Sequence, residues 1–395
     1  MINITAEEAA TSPMSALDSR RQEEAKKYAK AKLSLSLSDS VLAGVILLVL
    51  VFSGLSARLT GLFVFPVVPA AVIYFTILMV AYGVLSAPLG YYHGFVLPHR
   101  YGLSVQTFTA WLGDELKRKG LSLVFGAGII AVIYWFIISL PAIWWLLTWG
   151  VVVLFGLILT NLAPIIIVPL FFKMKPLGDP DLERRLERLV QQAQTRVRGI
   201  YAIELSRKGT TANAALMGLG NTKRIVLSDT LLQSYSPAEI EVVIAHELGH
   251  HCHNDIPRLL VTQSAVWLIG FYVASLALKT GVVSLGFNGI SDIAALPLLA
   301  LILIVFSLLV APLGHTYSRQ LEGLADEYAL RLTDNPESFT NVMTKLTDQN
   351  LSEAQPSRWV ELLLYDHPSY HKRIEHADYY SAHKPSNKSR EKNNC

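Results

Sequence analysis

Residues 294–314 read AALPLLALILIVFSLLVAPLG, a run without one Asp, Glu, Lys or Arg. In helical form it spans about 30 Å, the thickness of a bilayer's hydrocarbon core. Immediately beyond it, Ser318-Arg-Gln-Leu-Glu-Gly-Leu-Ala-Asp326 restores charge, with Glu322 and Asp326 one helical turn apart. A membrane span that runs straight into a carboxylate-bearing segment sets the terms for reading the rest of the chain.

Five further stretches are long and apolar enough to cross, at 41–57, 62–87, 121–140, 143–172 and 259–283, and Lys279 is the one charge within them. Composition agrees: of the 395 residues 52% are apolar and only 16% charged, well short of the roughly 25% charge of a soluble domain. The net charge of +3 is small, and no clustered basic face is evident, which excludes nucleic acid as a partner. The lipid bilayer is the expected surround. Lys and Arg number six in 1–38, four in 89–120, twelve in 173–258 and ten in 317–395, leaving only Arg58 and Lys279 for the alternate connections. Basic residues concentrate in cytoplasmic loops, so both termini are expected in the cytoplasm. Trp144, Trp145 and Trp149 are expected to form an aromatic belt at the outer interface, and Asn161, inside the fourth span, reads as an interhelical hydrogen bond.

Two polar segments are long enough to fold. In 173–258, Leu182, Leu186, Leu189 and Val190 share one helical face. The β-like stretches Ile200–Leu205, Ala212–Met217 and Arg224–Leu227 follow, the last two separated by Gly220-Asn221 and so read as a hairpin. Ser236-Pro-Ala-Glu239 is a capping box with Pro in the first turn and starts a helix. That helix carries His246-Glu247-Leu248-Gly249-His250. Imidazoles at i and i+4 lie on one side and reach one ion. Neutral imidazole nitrogen suits Zn²⁺, one ion per chain, and a catalytic site leaves one of four positions for water. The metal brings that water's pKa to roughly 7, and Glu247 stands ready to take its proton. A third protein ligand is needed, and Glu322 is the best candidate, because two crossings after His250 return the chain to the same side. Asp326, one turn on, can accept the second imidazole N–H of a liganding His. His251 and His253 read as polar helix-end residues, since an adjacent residue points about 100° away.

These residues resemble a family, the type I CAAX prenyl proteases, integral-membrane zinc metallopeptidases of the gluzincin type, together with their bacterial relatives. The resemblance covers roughly residues 90–380. It is carried by His99-Arg-Tyr-Gly102 with Thr107 and Asp114–Lys117, Pro169-Leu-Phe-Phe172 with Lys175-Pro-Leu177, and Asn213-Ala214 with Gly218. Arg224-Ile-Val-Leu-Ser-Asp-Thr-Leu-Leu232, the zinc motif, and His367-Pro368 with Arg373-Ile374 complete it. It implies a membrane-embedded zinc metalloendopeptidase acting on a peptide or protein substrate that is lipid-modified or membrane-bound, by CAAX-type C-terminal processing. It further implies spans arranged around an intramembrane chamber, strand addition of the substrate at Asn213 and Ala214, and catalytic roles for His367 and Arg373 near the scissile carbonyl. The chain departs from the eukaryotic members in having six spans and not seven, and in carrying His251 where they carry an aromatic. HCHNDI at 251–256 is closer to bacterial members, for which membrane-protein quality control is the alternative task and a bacterial inner membrane the expected location. A metal-binding transporter, the reading from another class, leaves Glu247 without a role and finds only Asn161 polar within the spans.

The expected architecture is a polytopic α-helical membrane protein of about six transmembrane helices with a cytoplasmic zinc-metalloprotease domain of helices and a small β-hairpin or sheet. Its segments are an N-terminal piece at 1–38, spans one to four in 39–172 with a cytoplasmic loop at 89–120, and a protease segment at 173–258. Spans five and six in 259–316, a second protease segment at 317–380 and a disordered tail at 381–395 complete the chain.

Overall fold

The structure, a computed structural model, describes residues 17–218 and 220–383. Six helices are long and apolar enough to cross a membrane, and one four-stranded sheet lies among them in the chain order. The first four are α1 (Ser19–Phe52), α2 (Val67–Leu85), α3 (Phe108–Ser139) and α4 (Trp144–Leu162), the last continuing through a π turn at Ala163–Ile167. Then come β1 (Met174–Pro176), α5 (Pro180–Gln192), β2 (Ile200–Ile203), β3 (Ala214–Met217) and β4 (Arg224–Ser228). The chain continues through α6 (Pro237–Cys252), α7 (Asp255–Ser284) and α8 (Leu296–Thr333), and closes with α9 (Pro336–Gln349), α10 (Arg358–Leu364) and α11 (Tyr370–Ala382).

The long apolar helices coincide with the six sequence spans, but several outrun them. α1 begins at Ser19, so residues 19–38 are its polar first half and not a separate segment. That half is anchored far along the chain, where Gln22 donates to Asp348 at 3.1 Å and accepts from the Ala354 N–H at 3.0 Å. α11 runs to Ala382 because Ala377 and Tyr380 are buried on its inner face, and the remainder of the expected tail, 384–395, lies outside the described residues. The aromatic belt is not found at Trp144, which is fully buried among the spans, while Trp149 donates its indole N–H to the Ser264 carbonyl at 2.8 Å.

The polar segments build their own core. Leu182, Leu186, Leu189 and Val190 of α5 are all buried, with Ile225, Leu227, Ile240, Ile244 and Phe339. The sheet order is β1-β2-β4-β3. β3 and β4 form the expected antiparallel hairpin, with Ala215 opposite Val226, and β2 adds to β4 in parallel. β3 is therefore an outer strand, and its free edge faces α6.

α6 starts as its sequence dictates. Ser236 N–H donates to the Glu239 carboxylate at 2.8 Å while Ser236 Oγ accepts from Glu239 N–H at 3.3 Å, and Lys345 of α9 lies 2.7 Å from the same carboxylate. It stops at Asn254, whose φ of +55° breaks the helix, and α7 begins at the next residue. α8 carries on from the last span for about eight residues, or roughly 12 Å, to bring Glu322 alongside α6. The two helices meet at Gly249, where a Cβ would lie 3.0 Å from Ala325 Cα and 3.2 Å from the Ala325 carbonyl. Both obstacles are backbone, so Gly249→Ala must push the helices apart. Helix propensity alone would favour Ala by about 1 kcal/mol, and overpacking opposes it with about 1–3 kcal/mol. A lower melting temperature of the purified protein is expected, with reduced metal retention; a raised melting temperature would show the crossing to be loose.

Candidate active site and metal centre

Where α6 meets α8, the i,i+4 spacing turns both zinc-motif imidazoles toward Glu322. His246 Nε2 is 3.3 Å from Glu322 Oε2, and His250 Nε2 is 3.3 Å from Glu322 Oε1. One ligand atom from each of the three residues lies within 4.8 Å of the others. The opposite ring nitrogens are taken by buried carboxylates. His246 Nδ1 is 2.9 Å from Asp326 Oδ1, and His250 Nδ1 is 2.9 Å from Asp255 Oδ2. A carboxylate at Nδ1 places the proton there and leaves the Nε2 lone pair free. Both lone pairs then converge on one point beside Glu322. The edge of a tetrahedron with zinc–ligand bonds of about 2.0–2.1 Å is roughly 3.3–3.4 Å, so each imidazole stands about one such edge from a Glu322 oxygen, and three residues of types that bind zinc would leave a fourth position for water. Burial alone would hold His250 neutral, but hydrogen bonds to Asp255 and Glu322 outweigh it and push its pKa up to about 10 in the metal-free site, so an ion that binds Nε2 must displace a proton from it.

Glu247 stands apart from this cage. Its Oε2 accepts the Leu216 N–H at 3.2 Å, which ties it to β3. It lines a cleft of about 180 Å³ with Leu216, Gly218, Lys223, His250 and His251. Asn213 and Ala214 open β3. Asn213, just before the strand, donates its N–H to the Ser228 hydroxyl at 3.0 Å and accepts the Ser228 N–H on its carbonyl at 2.9 Å, while Ala214 pairs with Leu227. His367 is exposed, with Nδ1 2.9 Å from Glu322 Oε2 at the rim of the cage. Arg373 sits behind it: Nε donates to Asp326 Oδ2 at 2.8 Å and Nη2 to Asp326 Oδ1, making a relay from Arg373 through Asp326 to His246.

Asn161 does not bridge spans. It donates to the Leu157 carbonyl of its own helix at 3.0 Å and accepts from Thr222 Oγ1 at 3.5 Å, in the segment between β3 and β4, because it lies at the end of α4 that meets the sheet. Sequence reasoning also missed Asp255 and Lys223. Asp255 reads as the first residue of a span, although an acid within one turn of the second ligand was a usable signal. Lys223 donates to His251 Nε2 at 2.9 Å across a separation in sequence that no local pattern reveals.

Comparison with known proteins follows the same outline. A family model described as CAAX prenyl protease N-terminal, five membrane helices, matches residues 5–173, and one described as peptidase family M48 matches residues 176–381. The uncharacterized metalloprotease YhfN of Bacillus subtilis is 33% identical over 289 residues, covering 72% of this chain and 68% of that protein. CAAX prenyl protease 1 of Saccharomyces cerevisiae is 28% identical over 329 residues, 76% of this chain and 70% of the yeast protein. The crystal structure of S. mikatae Ste24p shares the fold, with a TM-score of 0.82 at 23% identity over 92% of this chain and 90% of that one.

The two Nδ1 carboxylates yield a prediction on metal binding alone. Asp255→Asn and Asp326→Asn should each weaken zinc affinity by about 10–100-fold, measured by competition with a chromophoric chelator. Unchanged affinity in Asp255→Asn would show that His250 needs no such support.

Proposed function

We propose, from the premise that the chain belongs to peptidase family M48, that His246, His250 and Glu322 hold one zinc ion and that Glu247 is the general base of peptide-bond hydrolysis. The chain is an integral, multi-pass membrane metalloendopeptidase. The observation that carries the assignment of roles is the convergence of both Nε2 atoms on Glu322 beside a carboxylate, Glu247, that the cage does not use. Zinc, when bound, polarises the scissile carbonyl and brings the attacking water's pKa toward neutrality. Glu247 takes a proton from that water as its oxygen joins the carbonyl carbon. It returns the proton to the amide nitrogen as the C–N bond breaks, leaving a carboxylic acid and an amine.

The remaining residues position the substrate. β3 presents its outer edge beside Glu247, and a peptide laid along it by strand addition, with Asn213 and Ala214 at the start of the strand, has its backbone held and its side chains alternating. His367, exposed at the rim, is the donor assigned to the developing oxyanion. Arg373 acts through Asp326, holding the carboxylate that orients His246, and is a positioning residue.

For substrate, CAAX-type processing of a peptide C-terminus is the first reading, supported by relatives named CAAX prenyl protease 1. Bacterial membrane-protein quality control is the second, since a metalloprotease of Bacillus subtilis, YhfN, is 33% identical and carries no CAAX designation. Incubation with a farnesylated CAAX peptide and, separately, an unfolded membrane protein, with cleavage sites read by mass spectrometry, decides between them. The segments 173–258 and 317–380, with both termini, are assigned to the cytoplasmic side of a bacterial plasma membrane on the distribution of Lys and Arg.

Glu247→Gln preserves shape and removes the base. Zinc content and peptide affinity are expected near wild type, with hydrolysis lower by at least about 100-fold; wild-type turnover in a zinc-replete Glu247→Gln protein would overturn the mechanism. In a background lacking Cys252 and Cys395, a cysteine near residue 285 should react with an impermeant thiol reagent outside the cell. One near residue 195 should stay unlabelled, and labelling there would reverse the orientation.

A further inference from the structure

The cleft beside Glu247 holds a cation that hydrolysis does not use. Lys223 Nζ donates to His251 Nε2 at 2.9 Å, and both side chains line the cleft with Glu247 and His250. An imidazole nitrogen that accepts from an ammonium is unprotonated, so the pair carries one positive charge. Among the described residues no carboxylate pairs with Lys223. Glu247, which also lines the cleft, accepts the Leu216 N–H at 3.2 Å. Burial holds the Lys223 pKa below its ordinary value. A half-buried cation without a counter-charge is unfavourable, and a narrow cleft focuses its field on whatever enters.

The mount is rigid. Lys223's carbonyl accepts from Arg198 N–H at 2.7 Å, and the preceding loop turns at Gly218 with φ of +89°, where a Cβ would come within 2.7 Å of the Thr222 carbonyl. On either side, Thr222 donates to Asn161, and Arg224 donates to the Pro164 carbonyl in the π turn of α4 at 3.3 Å. Backbone ties on either side set where the Lys223 side chain starts, and His251 sets where it ends, which lowers the cost of ordering it around a ligand. We propose that Lys223 and His251 form a subsite for a substrate carboxylate, so that the enzyme selects peptides with an anionic group a few residues from the scissile bond and disfavours basic ones there. The inference rests on the reading of this cleft as the peptide site. The carboxylate comes from an Asp or Glu side chain or from the peptide's C-terminus, and the same subsite chemistry serves both.

The test starts from any peptide that the zinc-loaded, full-length protein cleaves, with the site located by mass spectrometry. That peptide is compared with versions carrying Glu, Gln or Lys at each flanking position, and with a C-terminal acid or amide. One carboxylate should raise kcat/KM by about tenfold or more, chiefly through KM. Sensitivity to amidation identifies the C-terminus as its source, and sensitivity to Glu/Gln exchange identifies a side chain. Lys223→Gln should abolish the preference and Lys223→Arg should retain part of it. Equal hydrolysis of acidic, neutral and basic versions by the wild type overturns the subsite and leaves the peptidase reading standing. So does a Lys223→Gln protein that slows acidic and neutral peptides alike, since that is a structural effect. If no peptide is hydrolysed at all by zinc-loaded protein, the peptidase reading falls and takes the subsite with it.

Discussion

The close approach of α6 to α8 at Gly249 is the constraint on which the site depends. With backbone atoms of α8 only about a Cβ's reach away, His250 next to that point and His246 and Glu322 about one turn before it on either helix meet across the gap. His246, His250 and Glu322 are therefore brought together by packing and not by any loop. A loop could adjust to an error of an ångström; two helices in backbone contact cannot. The two spans α7 and α8, which join the zinc motif to Glu322 in sequence, return the chain to the same place, so the membrane portion is part of what sets this crossing.

The two imidazoles are oriented by different means. Asp326 is locked from behind by Arg373, which makes His246 the end of a buried relay. Asp255 has the weaker partner, Arg258 at 3.7 Å, and is itself fixed by the helix break at Asn254. Buried ion pairs such as Arg373–Asp326 are poor sources of net stability, because desolvation offsets most of the attraction. Their effect here is directional: each removes one tautomer and one ring flip from the choices open to a ligand.

The sheet is also positioned from the membrane side. In the π turn of α4 the Pro164 carbonyl accepts from Arg224, just before it Asn161 accepts from Thr222, and α3 reaches the connection between β2 and β3 through Asp114 and Lys208 at 2.6 Å. β3 is thus held at a set distance from Glu247. Glu247, His250 and the Lys223–His251 pair line one cleft beside that strand.

What the chain's own order of residues determined is everything that is local or periodic. Spans are read from uninterrupted apolar runs, the buried face of α5 from Leu182, Leu186, Leu189 and Val190, the start of α6 from Ser236 and Glu239, and the pairing of His246 with His250 from a spacing of four. Each depends on neighbours a few positions away, where helix and strand geometry leave little choice. Glu322 was reachable too, because counting crossings is a question of parity. The tertiary structure alone decided which long-range partners meet: Asp255 on His250, Arg373 on Asp326, Lys223 on His251, Trp144 within the spans and Asn161 at the sheet. Those contacts follow from how helices cross and where a helix end meets the sheet. Such displacements accumulate over whole elements and leave no periodic trace in the residues that finally touch.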